Sequence, residues 1–209
     1  MKRIAVIGAG QMGNGITQVA ASAGYEVLMV DIKQEFVDKG MATIQKSLTK
    51  LVSKERMSQL DADDTLARIT TSTNRNDCAD VDLVVEAVPE ILDLKTSIFS
   101  ELDEICKPDC ILASNTSSIS ISIIANATSR PDKVIGMHFM NPVPIMKLVE
   151  IINGDQTSEA TNSAVVEAAE KMGKTALSCN DSPGFISNRI LCPMFNEAIL
   201  TPFSCTHLT

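Results

Sequence analysis

A glycine-rich turn, Gly8-Ala9-Gly10-Gln11-Met12-Gly13, directly follows the apolar run Ile4–Ile7 and leads into a segment with helical spacing. Gly8 would allow a tight turn out of a first strand, Gly10 would let the backbone approach a pyrophosphate, and Gly13 would let the helix pack closely on the sheet. The free N–H groups at the start of that helix would face the phosphates. The pattern predicts the strand, turn and helix of a dinucleotide-binding domain.

A second apolar run, Tyr25–Val30, ends at Asp31. This acid lies about twenty residues after the glycines, where dinucleotide-binding domains hold the residue that contacts the ribose. A carboxylate accepts hydrogen bonds from both ribose hydroxyls and repels a 2′-phosphate, so the sequence favours NAD over NADP. The alternative is a glycine-rich turn in another kind of α/β protein.

Apolar runs alternate with helix-period segments along most of the chain. Strands are predicted at 4–8, 26–30, 81–86, 110–114, 133–139, 147–152 and 175–179, and helices at 13–23, 34–52, 93–105, 119–127, 158–172 and 185–200. This order predicts an α/β fold with a Rossmann-type, doubly wound, mostly parallel sheet. The direction of strand 147–152 stays open. A turn at 181–184 predicts a boundary between an NAD-binding domain, 1–184, and a helical segment, 185–209, in which 201–209 carry no helical period.

Composition narrows the class of function. The chain has 209 residues, 44% of them hydrophobic, and a formal net charge of -8, which argues against nucleic-acid or anionic-membrane partners. The six cysteines are scattered without Cys/His clusters, so we expect thiols in a reducing compartment and no metal site. No apolar run approaches the length of about 20 residues that a membrane helix needs. A cytoplasmic location is expected, with no transit segment before the first strand.

The candidate acid–base group is His138, at the end of the predicted strand 133–139. An imidazole, with an ordinary pKa of about 6.5, can take a proton from an alcohol and return it near neutral pH. Glu150 lies within the apolar run Leu148–Ile152, where a carboxylate must be paired or face a cavity, and a histidine would serve. The alternative is that Glu150 points to solvent from an edge strand and that His138 is a hydrogen-bonded strand-end residue.

Two other segments have both a structural and a functional interpretation. The polar run within Ala113–Ser118 follows a predicted strand and opens a helix, so helix capping explains it as well as ligand binding. Lys46, Lys50 and Lys54 form a basic stripe at i, i+4 and i+8 on the helix after Asp31. That stripe could hold the phosphates of an acidic ligand or simply form a solvated helix face.

Taken together, six blocks of the sequence resemble the short-chain members of the L-3-hydroxyacyl-CoA dehydrogenase family. The blocks are Gly8–Gly13, Asp31, Ala113–Ser118, Gly136–Pro144, Met146–Glu150 and Ser182–Arg189. The resemblance implies that His138 is the general base toward the 3-hydroxyl in oxidation and the general acid in reduction. It implies that Glu150 orients and charge-compensates the ring, and that hydride passes directly between substrate C3 and nicotinamide C4.

The resemblance also implies the remaining site residues. Ser117 and Asn188 match positions that hydrogen-bond the reacting oxygen and position the acyl chain. The implied cofactor-binding residues are Gly8, Ala9, Gly10, Gln11, Met12, Gly13, Asp31, Glu90, Lys95, Asn115, Ser117 and Asn141. The implied coenzyme A contacts are Ser47, Lys50, Lys54 and Ser117. An acyl-CoA substrate and a homodimer or higher oligomer follow from the same likeness.

The sequence departs from the family in several places. Met140 stands where the family usually has Phe, and Pro89 and Ile91 are unusual, but none removes a proposed catalytic group. Family members continue beyond residue 198 into a helical domain that forms the dimer and covers the acyl-CoA, whereas this chain leaves the pattern at Thr201. We therefore expect a truncated or frame-shifted product that binds NAD and turns over weakly or not at all.

Two competing functions stay open. Other β-hydroxyacid dehydrogenases share an early glycine turn but commonly use a lysine for acid–base work, which the His138 and Glu150 pair disfavours. Lens lambda-crystallin resembles the same family, so a catalytically silent NAD-binding protein is the non-enzymatic alternative.

Overall fold

A computed structural model describes residues 1–205 of the chain, and residues 206–209, which include His207, lie outside that range. The strands are β1 (Arg3–Ile7), β2 (Glu26–Val30), β3 (Ile69–Ser72), β4 (Leu83–Glu86), β5 (Ile111–Ser114), β6 (Val134–Phe139), β7 (Leu148–Asn153) and β8 (Thr175–Asn180). The helices are α1 (Gln11–Ser22), α2 (Gln34–Ser53), α3 (Gln59–Ala67), α4 (Leu92–Ile105), α5 (Ile121–Ala125), α6 (Glu159–Lys171) and α7 (Ser187–Cys205).

The strands form one sheet in the order β3-β2-β1-β4-β5-β6-β7-β8. Strands β1 to β6 pair in parallel, β7 pairs antiparallel with β6, and β8 is parallel to β7. The antiparallel step follows from the connection Met140–Lys147, because a parallel return needs a crossover of about a dozen residues or more. The predicted Rossmann-type fold class is confirmed. The strand order reverses at β1, because β2 and β3 lie on one side of it and β4 to β8 lie on the other. This reversal creates a crevice at the carboxyl ends of β1 and β4.

The core lies on both faces of the sheet. Ile4 and Val6 of β1 belong to a buried cluster with α1, α2 and α6, whereas Ala5 and Ile7 belong to a second cluster with α4 and α5. Successive side chains of a strand point to opposite faces, so a strand covered on both faces reads as a continuous apolar run. This explains why the central strands could be predicted from their apolar runs.

A strand and an α-helix between residues 54 and 80 were not predicted. The edge strand β3 buries only Ile69 of its four residues, and its threonines are exposed, so it lacks an apolar run. Helix α3 buries only Ala62 and Thr65, which gives it little amphipathic signal. Its start is nevertheless marked by Ser58, whose hydroxyl accepts a hydrogen bond from the N–H of Asp61.

The last helix differs from its predicted bounds at both ends. It begins at Ser187 because Gly184 and Phe185 have positive φ values of 78° and 50°, which are outside the helical region. It continues through residue 205, so the lack of helical period at 201–205 did not end it. Its exposed apolar side chains are Ile190, Leu191, Met194, Phe195, Ile199 and Leu200. Within the described range, none of the helices has the length and apolar character needed to cross a membrane.

Candidate active site

The glycine turn at the start of the sheet is shaped by contacts that exclude side chains. Gly8 has a φ of +104°, and a Cβ on Gly13 would lie 1.7 Å from the carbonyl oxygen of Gly8. A Cβ on Gly10 would meet nothing within 4 Å, so the space above this residue is open. No side-chain hydrogen bond caps α1 at Gly10, which leaves the first-turn N–H groups available to an anion.

A cavity of about 450 Å³ opens beside this turn, and Asp31 lies on its wall. Asp31 Oδ2 accepts a hydrogen bond from Ala9 N at 2.7 Å, and Oδ1 accepts one from Ile32 N at 2.7 Å. These bonds fix the carboxylate and leave lone pairs for ribose hydroxyls. The open glycine cradle, the fixed acid and the cavity together fit a dinucleotide such as NAD.

Several residues of this cavity were not identified from the sequence. Phe36, Thr73 and Arg75 line it along with Pro89 and Leu94. Thr73 and Arg75 follow β3, an element that was itself missed, so their position could not be inferred. The guanidinium of Arg75 is engaged by Glu101 at 2.6 Å.

His138 and Glu150 occupy facing positions on the neighbouring strands β6 and β7. Nδ1 of His138 lies 2.7 Å from Oε2 of Glu150, and the two residues are 6% and 0% exposed. The other ring nitrogen, Nε2, lies 3.1 Å from the hydroxyl of Ser117. The structure thus joins these three side chains in one row.

Glu150 is the most fully hydrogen-bonded member of the row. Its carboxylate accepts bonds from the N–H of Ile186 at 3.0 Å and from the N–H and hydroxyl of Ser187 at 2.7 and 3.1 Å. Burial works to raise the pKa of Glu150, but the bonds from Ser187 and His138 outweigh it and hold the pKa below its ordinary value. An ionised Glu150 accepts the Nδ1–H of His138, which leaves Nε2 as the nitrogen that can exchange a proton.

The turn before α7 and the first residues of that helix pack against this row. The Phe185 ring packs edge-on against the His138 ring, with centroids 5.8 Å apart. Asn188 Nδ2 donates to the carbonyl oxygen of Ser117 at 3.3 Å. Ser187 was not a predicted site residue. Its position directly before the predicted residue Asn188 was the only feature of the sequence that pointed to it.

Ser117 lies in the turn after β5, and Glu90 holds that turn. One oxygen of Glu90 accepts hydrogen bonds from the hydroxyl of Thr116 at 2.5 Å and from the N–H groups of Ser117 and Ser118 at 2.9 and 3.1 Å. Burial works to raise the pKa of Glu90, but the Thr116 hydroxyl and the nearby Lys95 ammonium hold it below its ordinary value. Helix α5 is capped by Ser120, so capping does not account for Ser117.

Two asparagines connect neighbouring loops at the carboxyl ends of the strands. Asn115 Oδ1 accepts a hydrogen bond from Phe139 N at 2.8 Å and so ties the loop after β5 to the end of β6. Asn141 Oδ1 accepts one from Gln11 Nε2 at 3.2 Å and so meets the start of α1. These two bonds link the loops that follow β5 and β6 to the strand that carries His138 and to the helix that follows the glycine turn.

Lys95 lies beneath this region and is 1% exposed. Its ammonium lies 2.7 Å from Oε1 of Glu86 and 3.3 Å from Oε2 of Glu90. Glu86, which is 0% exposed, was missed by the sequence interpretation. The signal was available, because Glu86 is a carboxylate at the end of an apolar run, as Glu150 is within one.

Three of the four residues implied for coenzyme A lie away from this row, and the fourth, Ser117, belongs to it. Ser47 and Lys50 are on α2, which packs against α1, α3 and β3, and Lys54 follows the last residue of that helix. Within the part of the chain that the structure describes, no hydrogen bond or ion pair joins these three residues to the row formed by Ser117, His138 and Glu150.

Comparisons with known proteins agree with this geometry. The family model described as "3-hydroxyacyl-CoA dehydrogenase, NAD binding domain" matches residues 3–182. A probable 3-hydroxybutyryl-CoA dehydrogenase of Deinococcus radiodurans is 58% identical over 198 residues, which cover 94% of this chain and 70% of that protein. The 3-hydroxybutyryl-CoA dehydrogenase of Clostridioides difficile is 48% identical over 197 residues, with 94% and 70% covered.

A solved structure gives the same result. The crystal structure of (S)-3-hydroxybutyryl-CoA dehydrogenase PaaH1 from Ralstonia eutropha superposes with a TM-score of 0.96 at 48% identity, covering 98% of this chain and 72% of that one. The superposition therefore covers nearly all of this chain. Residues 3–182 match the NAD-binding domain of the 3-hydroxyacyl-CoA dehydrogenases, and this chain therefore belongs to that family.

Proposed function

We propose that this chain is an NAD-dependent oxidoreductase that interconverts (S)-3-hydroxyacyl-CoA, with a short acyl chain such as 3-hydroxybutyryl, and 3-oxoacyl-CoA. The observation that carries the proposal is the row Ser117, His138 and Glu150, which lies at the carboxyl end of the same sheet as the glycine turn. Relatives named 3-hydroxybutyryl-CoA dehydrogenase support the substrate class.

The chemistry follows from the orientation of the imidazole. NAD supplies the nicotinamide carbon that accepts or donates hydride. His138 Nε2 takes the proton of the 3-hydroxyl in oxidation and returns it to the carbonyl oxygen in reduction, a contribution of about 10²- to 10⁴-fold in rate. Glu150 keeps Nδ1 protonated and stabilises the imidazolium that forms, because its carboxylate is 2.7 Å away.

Ser117 and Asn188 are proposed to hold the reacting oxygen and the acyl chain. The Ser117 hydroxyl lies within hydrogen-bond distance of His138 Nε2, so an oxygen bonded to both groups would be correctly placed for proton transfer. The Asn188 amide already contacts the backbone of the Ser117 turn. These contacts support both assignments.

The cofactor assignments rest on the same surface. The glycine turn, Gly8 to Gly13 with Ala9, Gln11 and Met12, is proposed to bind the pyrophosphate, and Asp31 the adenosine ribose. Glu90, Lys95, Asn115 and Asn141 are proposed to surround the nicotinamide and its ribose. Ser47, Lys50, Lys54 and Ser117 are proposed to meet the coenzyme A moiety, and the basic residues of α2 support this proposal.

The domain division is also proposed at this level. Residues 1–184 are the NAD-binding domain and the segment from 185 begins a helical region, which the extent of the family match and the exposed apolar side chains of α7 support. The family resemblance supports a homo-oligomer. A cytoplasmic location is supported by the unpaired state of the five cysteines whose side chains are described, Cys78, Cys106, Cys110, Cys179 and Cys192.

The second candidate is an NAD-binding protein with little or no turnover, which the exposed apolar face of α7 beside the site favours. Calorimetric titration with NADH and an acetoacetyl-CoA reduction assay separate the two. Turnover with NADH binding supports the dehydrogenase, and NADH binding without turnover supports the silent protein. Loss of both would contradict the cofactor assignment.

A further inference from the structure

Two adjacent parallel strands end in buried polar residues that contact each other. Glu86 of β4 and Ser114 of β5 are register partners, and both are 0% exposed. Glu86 Oε2 accepts a hydrogen bond from the Ser114 hydroxyl at 2.7 Å. Its other oxygen accepts bonds from Lys95 Nζ at 2.7 Å and from Val88 N at 2.6 Å.

A buried ion pair of this kind needs an explanation other than stability. The desolvation of two charges consumes most of their attraction, and well-packed apolar residues of similar volume are often as stabilising. A buried carboxylate with three donors does, however, fix the positions of the groups that donate to it.

Two hydrogen-bonded paths lead from Glu86 to the turn that carries Ser117. In the first, the Ser114 hydroxyl that donates to Glu86 accepts a bond from Thr116 N at 3.2 Å. In the second, Lys95 contacts Glu90, whose other oxygen accepts bonds from Thr116 and Ser117. Both paths end in the turn formed by Thr116 and Ser117, which places the Ser117 hydroxyl against His138.

We propose that Glu86 is a positioning residue that holds the Ser117 hydroxyl against Nε2 of His138, through Ser114 on one path and through Lys95 and Glu90 on the other. The proposal rests on the proposed dehydrogenase function. Glu86 does not touch the reacting atoms. Its effect is geometric, and a displacement of about 1 Å in such a group can cost about a hundredfold in rate.

The sharpest variant is Ser114→Ala, because it removes the first path and leaves the buried ion pair intact. Its matched control is Ser158→Ala, which removes another serine hydroxyl that accepts a backbone N–H, at the start of α6. We expect Ser114→Ala to lower kcat for acetoacetyl-CoA reduction by about tenfold with NADH Kd within about twofold. Ser158→Ala should keep kcat within about twofold although its melting temperature also falls.

A second readout does not depend on turnover. The chain has two histidines, so the imidazole NMR resonances of His138 can be assigned with a His207→Ala variant. In Ser114→Ala, the chemical shifts of the His138 resonances should differ from the wild type, and in Ser158→Ala they should not. Absence of turnover in the wild type would refute the proposed function, and the NMR comparison would still test the path from Glu86 through Ser114. The proposal would be overturned if Ser114→Ala and Ser158→Ala both gave the wild-type His138 spectrum, or if the two variants lost kcat equally.

Discussion

His138 and Glu150 face each other across the antiparallel pair β6 and β7, with 2.7 Å between Nδ1 and Oε2. Their strand neighbours Met137, Phe139, Val149 and Ile151 all belong to the cluster on the opposite face of the sheet. A slip of one residue in register would send one of the two polar side chains to that apolar face. Packing of the apolar residues therefore sets the alignment of the acid–base pair.

Glu150→Gln tests whether the carboxylate supports the imidazole electrostatically. The amide keeps the shape but removes the charge that stabilises the imidazolium and that selects the Nδ1–H tautomer. We expect kcat for acetoacetyl-CoA reduction to fall by about 10²- to 10⁴-fold while NADH affinity is retained. Ser187→Ala, which removes one neutral donor to Glu150 at 3.1 Å, is the control and should have a much smaller effect. Equal effects of the two variants would count against the electrostatic role.

Gly10→Ala and Gly13→Ala separate cofactor binding from folding. A Cβ at position 10 meets no protein atom within 4 Å, so this variant should fold with an unchanged melting temperature. The same methyl group enters the space proposed for the pyrophosphate, and we expect NADH Kd to rise at least about tenfold. A Cβ at position 13 would lie 1.7 Å from Gly8 O, so Gly13→Ala should lose about 1 to 3 kcal/mol of stability or more. Normal NADH binding by Gly10→Ala would contradict the cradle assignment.

Asp181 gives a prediction about pH and stability. Its Oδ2 accepts hydrogen bonds from the Ser120 hydroxyl at 2.6 Å and from Ser122 N at 2.9 Å. Burial works to raise the pKa of Asp181, but the bonds from Ser120 and Ser122 hold it below its ordinary value. Because the folded-state pKa is lowered, the stabilisation is present above the unfolded-state pKa of about 3.9 and is lost as pH falls through the folded-state pKa.

Asp181→Asn should therefore destabilise the protein by about 1 kcal/mol at neutral pH, as measured by urea unfolding. The difference from the wild type should shrink as the pH is lowered below about 4. Asp155→Asn, at a nearby exposed carboxylate, is the control and should have little effect at either pH. A gap between Asp181→Asn and wild type that is constant with pH would contradict the prediction.

The fold was predictable where strands are covered on both faces. The runs of β1, β2, β4, β5 and β6 are apolar enough to be seen individually, and the glycine turn identified the class of domain. The edge strand β3 was not predictable, because three of its four residues are not buried. The direction of β7 was not predicted, although the short connection after β6 already favours the antiparallel pairing that the structure has.

The site was predictable to the extent that single residues carry a chemical signal. His138 and Glu150 could be selected because one is a titratable group at a strand end and the other a carboxylate in an apolar run. Glu86 carries the same signal as Glu150 and was overlooked. Arg75 and Ser187 carry no such signal, since each enters the site through long-range packing that spacing does not reveal.

The most direct test of the acid–base assignment is His138→Gln, with His207→Gln as the matched control at the chain's other histidine. NADH titration and acetoacetyl-CoA reduction are measured on both variants and on the wild type. We predict that His138→Gln loses turnover by at least about a hundredfold with NADH Kd within about twofold, and that His207→Gln retains both. Near-wild-type turnover in His138→Gln would contradict the assignment.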